Sequence, residues 1–516
     1  MLVPYSCEPY VNFAEQTPRT RMLEALADVK GRLGKTYPLR IGGKEIKTSD
    51  TIASVSPADP DRVVGYAGKA TTDHANQAVE ASLAAFKTWS RVPGEVRGRY
   101  LIKAAAIMRR RIYELSAWEC FEESKSWIEA YADVCEAIDF LEFYGREMMR
   151  LDGPHPVTPW PGEENEVRYI PLGVGVIIPP WNFPLAITAG MTSAAIVTGN
   201  PVVLKPASTA PVMAALLAEI FDEASLPPGV LNYLPGPGGG IGDTLVTHTK
   251  TRFIAFTGSM EVGLGIHEKA AKLSEGQIWI KRTIMEMGGK DCIVVDETAD
   301  LDAAAAGVVT AAFGFQGQKF SACSRLIVQE KVCDALTAKV VEGARKITIG
   351  DTTGPENFYM GAVIDKNAYN KISEYIEIGR KEGKMVLGGT TVPPKGYFVP
   401  PTVFGDIDRN ARIAQEEIFG PVLAVIKGRN FDDLLDIANG TMYGLTGSLF
   451  SRDRMRLERA RHEFHVGNLY FNRKCTGALV DVQPFGGYNM SGTDSKAGGR
   501  DYLQLFLQGK TICEQW

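Results

Sequence analysis

Val174-Gly-Val-Ile-Ile178, Pro201-Val-Val-Leu-Lys205, Leu231-Asn-Tyr-Leu-Pro235 and Arg252-Phe-Ile-Ala-Phe256 are short β-rich runs separated by helical stretches such as Ala210 to Ala224. Strands spaced by helices of this length predict βαβ units and a parallel sheet. Right-handed crossovers then place the loops that follow those strands along one edge, where such sheets bind nucleotides. A second α/β pattern begins at Cys292-Ile-Val-Val-Asp296 and continues through Ser324-Arg-Leu-Ile-Val328, Lys384-Met-Val-Leu-Gly388 and Pro421-Val-Leu-Ala-Val-Ile426 to Gly467-Asn-Leu-Tyr-Phe471. A largely helical region, 71–150, precedes the first sheet, with strong runs at 75–89 and 130–149. Two outlying pieces, 145–168 and 488–516, are short and β-prone. The tail Tyr502-Leu-Gln-Leu-Phe-Leu-Gln508 reads as a strand in need of a partner, a hint of subunit pairing.

The bulk of the chain narrows the classes. At 516 residues it exceeds a single core of typical size, so two or three domains are expected. Apolar residues at 45% and charged residues at 23% are ordinary for a soluble globular protein. A net charge of −5 leaves no electrostatic footprint for nucleic acid. Arg109-Arg110-Arg111 interrupts an apolar-periodic segment and reads as a solvated helix face. The 8 cysteines show no close CxxC pairing and read as reduced thiols of a cytoplasmic protein. No cysteine or acidic cluster completes a metal-ligand spacing around the histidines, so no metal is expected. Tyr169 to Leu204 is 36 residues without a charge, but Pro179, Pro180, Pro184, Pro201 and Asn182 break it into pieces too short to cross a membrane. It reads as buried core, and the N-terminal residues carry no secretory signal pattern.

Pro235-Gly-Pro-Gly-Gly-Gly-Ile-Gly242 follows a strand and opens a helix, so its backbone could approach a dinucleotide closely. A plain flexible turn fits the same residues, since the spacing is not G-x-G-x-x-G. Phe256-Thr-Gly-Ser259 ends the next strand and offers a hydroxyl and free amides at a helix N-terminus, which suit a pyrophosphate. A capped helix start is equally compatible.

Taken together, Trp181-Asn-Phe-Pro184, Lys205-Pro-Ala-Ser208, Phe256-Thr-Gly-Ser259, Glu286-Met-Gly-Gly289, Glu417-Ile-Phe-Gly-Pro421 and Pro484-Phe-Gly-Gly487 resemble the aldehyde dehydrogenase superfamily in order and spacing. The resemblance implies an α/β fold with a Rossmann-like NAD domain, an α/β catalytic domain and a small β oligomerisation element. The expected limits are 1–144 with 169–285, then 286–487, and last 145–168 with 488–516, in a homo-oligomer of two or more subunits. It implies that Lys205 binds the adenosine ribose, Ser259 the pyrophosphate and Glu417 the nicotinamide ribose. Trp181, Phe256, Thr257, Gly258 and Phe419 would line the cleft, and Gly238 and Gly242 would permit close approach near the adenine. NAD-strict members often place an acid three residues after the lysine, where this chain has Ser208. NAD is the favoured cofactor, and the missing acid leaves NADP open as an alternative.

Aldehyde oxidation by hydride transfer requires a tetrahedral adduct, which family members form with a cysteine thiolate, followed by a water activated by a carboxylate. By resemblance Glu286, read as standing at a strand start, is that base. The Asn182 amide is one oxyanion donor, and the backbone N–H of residue 320 is the other. The family's cysteine lies 34 residues after the glutamate, and this chain has Phe320 there. Three readings of Phe320 stand: a disabled variant of a working enzyme, a non-catalytic homologue that keeps the fold for binding or assembly, or substitution by Cys323. The last faces a distance problem: three residues span ~10 Å extended or ~5 Å as a helical turn, against a contact of about 3 Å.

Tyr37-Pro-Leu-Arg-Ile-Gly-Gly43, Ala137-Ile-Asp-Phe-Leu-Glu-Phe-Tyr144, Phe313-Gly-Phe-Gln-Gly-Gln-Lys319, Phe464-His-Val-Gly-Asn-Leu-Tyr-Phe-Asn-Arg473 and Thr476-Gly-Ala478 resemble one branch, the Δ1-pyrroline-5-carboxylate dehydrogenases. That branch implies NAD-dependent oxidation of L-glutamate γ-semialdehyde to L-glutamate in proline catabolism, with the Phe320 form impaired. Another acidic semialdehyde is the alternative substrate. Ser321 with the amides of Gly477 and Ala478 would hold the substrate carboxylate, and Phe183 and Phe485 would line the aliphatic tunnel.

Overall fold

In the computed structural model, which describes residues 3–389 and 391–516, the four opening runs become Gly175–Ile178, Val202–Leu204, Leu231–Tyr233 and Phe253–Thr257. They lie parallel within one 7-stranded sheet. Across that sheet the order is Arg282–Glu286, Phe253–Thr257, Gly175–Ile178, Val202–Leu204, Leu231–Tyr233, Leu39–Ile41 and Lys44–Ile46, the last two antiparallel. Strand alternation sends Ile177, Val202, Leu204 and Ala255 into the core shared with the helices Trp127–Leu151, Ala186–Val197 and Pro211–Glu223. Val176, Val203, Ile254 and Phe256 enter an opposite core with the helices Thr72–Trp89 and Met260–Ala271. Coverage on both faces explains why these strands read as unbroken apolar runs.

The second pattern folds into another 7-stranded sheet, ordered Lys384–Leu387, Thr402–Gly405, Val422–Gly428, Arg325–Gln329, Cys292–Val295, Thr446–Phe450 and Asn468–Phe471. Only the first of these strands is antiparallel to its neighbour. Its two faces bury separate clusters, Ile293, Leu326 and Leu423 on one side and Val294, Ile327 and Ala424 on the other. The α/β fold class expected from the sequence is what these two sheets form.

Several local expectations change. Glu286 is the last residue of Arg282–Glu286, not the first of a strand. Its short apolar stretch, flanked by charges, is weak in pattern and becomes a strand by pairing with Phe253–Thr257. The tail is a 3-10 turn at Tyr502–Phe506, and the strand Leu507–Gln515 pairs antiparallel with Glu163–Pro171 of the same chain. One edge of it is therefore paired within the chain, and as an outer strand of that three-stranded sheet it leaves its other edge unpaired among the described residues. The limits drawn at 144 and 168 cut the helix Trp127–Leu151 and the strand Glu163–Pro171. Of the arginine run, Arg109 and Arg110 lie on an exposed face, whereas Arg111 is partly buried at the break between the helices Gly94–Arg110 and Ile112–Glu122, paired with Glu114. Residues 169–204 are mostly buried strand and helix, and among the described residues no helix is long and apolar enough to cross a membrane. Among them too, all eight cysteines are free and no His/Cys/Asp/Glu group has the arrangement of a metal site.

A buried ion cluster fastens the helical layer to the region of the candidate site. Lys125 Nζ lies 2.8 Å from Glu119 and 3.0 Å from Asp133, with all three side chains at most 1% exposed. Asp133 accepts the N–H groups of Leu185 and Ala186 at the start of the helix Ala186–Val197. The same ammonium sits over the rings of Phe183 and Phe315, 4.9 and 5.1 Å from their centroids. Lys125→Met strands two buried carboxylates and should destabilise the protein by ~3–5 kcal/mol in denaturant titrations. Retention of full stability would show that the cluster carries none of the fold.

Candidate active site

The turn after Glu286 is where the two sheets meet. Glu286 ends a strand of the first sheet, and Cys292 begins a strand of the second. Between them Gly288 and Gly289 run against Glu417 and the loop that carries Phe320. A Cβ at Gly288 would collide with the Glu417 carboxylate, and one at Gly289 would come within 2.7 Å of the Phe320 carbonyl. The Gly289 N–H donates to Glu417 Oε1 at 2.9 Å. Glycine is thus required here by close approach rather than by a positive φ.

A cavity of about 150 Å³ opens beside this junction. Glu286, Phe320, Ser321, Gly477, Ala478, Phe183 and Phe485, which are all the predicted substrate residues and two of the three predicted catalytic positions, line it together. Glu286 accepts the Ser495 hydroxyl at 2.5 Å and the backbone N–H groups of Ser495 and Gly487, each at 3.3 Å. Enclosure pushes its carboxyl up to about 7, and these hydrogen bonds pull against that rise. The Phe320 ring is 8% exposed and leans on Phe419, 5.6 Å between centroids. Among the described residues its backbone N–H has no protein acceptor. The same is true of the amides of Gly477 and Ala478, at a turn where Gly477 takes φ 76° and Arg473 holds the carbonyls of Thr476 and Gly477. Asn182, 1% exposed, donates one amide hydrogen to the Gln318 carbonyl at 2.9 Å. It ties down the loop that leads to Phe320 and is not among the cavity-lining residues. Cys323 is 1% exposed in the second sheet's core, with its thiol donating to the Arg325 carbonyl, and does not reach the cavity.

The predicted cleft residues follow the strand ends of the first sheet. Lys205 is buried beside the glycine turn: a Cβ at Gly242 would lie 3.5 Å from Lys205 Cε. Among the described residues the only protein acceptor of its ammonium is the Pro206 carbonyl at 3.2 Å, and burial pulls that ammonium down to about 8. Ser208 is exposed and donates to the Gly236 carbonyl. Gly238 to Gly242 form one wide helical turn, and a Cβ at Gly238 would face open space. Ser259 caps the helix Met260–Ala271 by accepting the Val262 N–H at 3.4 Å. Phe419, at φ 63°, stands between Trp181 and Phe320, with centroids 5.7 and 5.6 Å away. Two expectations shift. Phe256 points into the opposite core and fills the space above Gly258, since strand alternation directs it away from the cleft. Thr257 faces the cavity, its hydroxyl 3.5 Å from the Met191 sulfur.

A model of the aldehyde dehydrogenase family matches residues 45–512. The chain belongs to the aldehyde dehydrogenase family. It is 57% identical to the 1-pyrroline-5-carboxylate dehydrogenase of Geobacillus thermodenitrificans, over the full length of both. Its structure matches a Thermus 1-pyrroline-5-carboxylate dehydrogenase solved with bound NAD, with a TM-score of 0.98, 51% identity and both chains covered completely. It also matches a Staphylococcus aureus betaine aldehyde dehydrogenase in complex with NAD+, with a TM-score of 0.88 and 27% identity, covering 94% of this chain and 95% of that one.

Sequence reasoning missed the supports of Glu286 and part of the cavity wall. Ser495 lies 209 residues from Glu286, and no local pattern connects them. Glu129, Ala132, Asp133, Glu136 and Phe140 also line the cavity from the helix Trp127–Leu151. Their three- and four-residue spacing along one helix face was legible, but it reads as an ordinary buried stripe. Lys319 joins them, its ammonium 2.6 and 2.7 Å from the Glu129 oxygens. Glu136 has no protein donor among the described residues, and burial with neighbouring Asp133 raises its carboxyl to about 8.

A carboxyl with a raised value in the folded state binds its proton more tightly there than in the unfolded chain. The stability contributed by Glu286 is therefore complete below the ordinary carboxylate range and is lost as pH rises through about 7. Difference titration against Glu286→Gln should show one proton fewer released, centred near neutrality. A midpoint in the ordinary carboxylate range would refute the enclosed environment.

Proposed function

We propose that this chain carries the machinery for NAD-dependent oxidation of L-glutamate γ-semialdehyde to L-glutamate, and that Phe320 occupies the position of its nucleophile. One observation carries the reading: a general-base candidate, an open backbone N–H at residue 320 and a small anion nest share a single cavity. The relatives named 1-pyrroline-5-carboxylate dehydrogenase support the substrate class, because water opens that cyclic imine to the semialdehyde. The substrate has an aldehyde at one end and an ammonium and carboxylate at the other. Ser321 and the Gly477 and Ala478 amides suit the carboxylate, Phe183 and Phe485 the methylenes, and Glu136 the ammonium. The division into a cofactor domain, a catalytic domain and a small strand-built appendage belongs to the same proposal, as does assembly into an oligomer.

The residues of the cleft fit a dinucleotide. Gly238 leaves room for close approach, Lys205 offers a desolvated ammonium without a carboxylate partner, and Ser259 brings a helix start to the edge. Glu417 is held on the Gly289 N–H, at the end nearest the cavity. NAD, when bound, supplies the acceptor for the aldehyde hydride.

The remaining chemistry belongs to the protein. A thiolate at residue 320 would add to the aldehyde carbon, and the N–H of that residue would hold the oxyanion, with Asn182 steadying that loop through the Gln318 carbonyl. Loss of hydride leaves a thioester. Glu286 takes a proton from water, the oxygen adds to the thioester carbon, and the C–S bond breaks to give the thiolate and the carboxylic acid, which releases its proton to solvent as the carboxylate product. A carboxyl poised near 7 suits that task. A benzyl group can perform none of the nucleophile's steps, and it fills the space the adduct would need.

The test is restoration. The protein as it stands should produce no NADH above background with the semialdehyde, whereas Phe320→Cys should turn over with a rate that rises with pH as Glu286 ionises. Adding Glu286→Gln should lower kcat by ~10²–10⁴ and remove that pH limb. Ser321→Ala in the restored form should raise KM for the semialdehyde about tenfold and leave aldehydes without a carboxylate unchanged. Equal loss on both classes would replace the carboxylate reading with a general aldehyde site. Inactivity of Phe320→Cys with NAD still bound would favour a non-catalytic NAD-binding homologue.

A further inference from the structure

The N-terminal segment is laid antiparallel along the helix Trp127–Leu151, and the pairing is regular. Arg146 donates to the Val3 carbonyl at 3.1 Å, the Tyr5 ring packs on Phe143 at 5.4 Å, and the Glu8 N–H donates to Asp139 at 2.8 Å. Phe13 meets Tyr131 and Trp127 edge-on at 5.8 and 5.7 Å. Arg109 adds an ion pair with Glu8 at 2.9 Å while also holding Glu142 on that helix. On its other side the segment grips the chain just beyond the Gly477–Ala478 turn, where the Tyr5 hydroxyl and Cys7 thiol both donate to the Val480 carbonyl, at 3.3 and 3.6 Å. Tyr10 lies between these anchorages. It lines the cavity that reaches Phe320, yet it is 53% exposed, so it stands where that cavity meets solvent.

We propose that the segment from Val3 to Phe13 is a strap closing the outer end of the cavity, and that Tyr10 sets the length of the aldehyde admitted. Three features argue for this over a merely structural tether. The strap is fixed to both walls, the helix that carries Glu136 and the chain that carries Gly477, so it spans the opening. Its one half-exposed ring among the anchored residues is the one that lines the cavity. Tyrosine is a rigid amphipathic plug with an apolar body facing the chamber and a polar tip for water. An aldehyde longer than the distance from residue 320 to this ring would have to displace it, while a shorter one would fit behind it.

The proposal rests on the cavity being the aldehyde site, and the experiment separates the two ideas. In the Phe320→Cys form with saturating NAD, kcat/KM is measured for unbranched aldehydes from propanal to octanal, with and without Tyr10→Ala. The substitution should raise the values for the longest aldehydes about tenfold relative to propanal, and Tyr10→Phe should keep the parent profile. A uniform change across the series, or none, overturns the proposal, and matched Tm values exclude misfolding as the cause. If the restored form oxidises no aldehyde, the functional reading fails, and the strap is then tested by alkylation of the introduced thiol in the same NAD-bound form. Mass spectrometry should show Tyr10→Ala accelerating the bulkiest maleimide about tenfold and iodoacetamide less than about twofold, a size discrimination of the kind a steric wall imposes. Equal acceleration of both reagents would overturn the strap as a wall.

Discussion

Everything in the candidate site depends on how little room there is between Glu286 and Cys292. The chain leaves one sheet and enters the next through a turn in which Gly288 and Gly289 have no side chains to hold the neighbouring loops away. Glu417 closes on one glycine and the Phe320 carbonyl on the other. Larger residues would push apart the carboxylate at the end of the first sheet, the loop before Arg325–Gln329 and the Glu417 loop. The close packing of the three rests on those two glycines.

Burial then tunes what this geometry assembles. Glu286 is enclosed, yet Ser495 and Gly487 share its oxygens, so its carboxyl settles near neutrality instead of being forced permanently neutral. Lys205 is desolvated beside a glycine turn with only a carbonyl to bond. Lys125 is compensated on both sides by carboxylates and supports the Phe183 ring from beneath. These charges are costly to bury, and each is set where it orders a strand end, a helix start or an aromatic wall.

Phe320 sets an apolar ring among the polar groups that line the cavity. The ring packs against Phe419, which itself sits on Trp181, in an aromatic row that starts at the cavity. The surrounding donors and acids keep their places around it.

Both α/β sheets were legible from period and composition, because strands covered on both faces must be apolar throughout and the stretches between them are long enough for helices. The cavity-lining residues Phe183, Glu286, Ser321, Gly477, Ala478 and Phe485 were legible as members of motifs, each local in the chain. Their meeting was not, since they come from separate loops that only the joined sheets bring together. The direction of Phe256 and the internal partner of Leu507–Gln515 were also tertiary outcomes, set by strand pairing across long separations. So was the role of the strap, because eleven residues without strong periodicity acquire one only when laid along a helix. Local sequence determined which groups are present and in what elements. The tertiary structure decided which of them face one another, because contacts at long sequence separation depend on packing that no short window of residues contains.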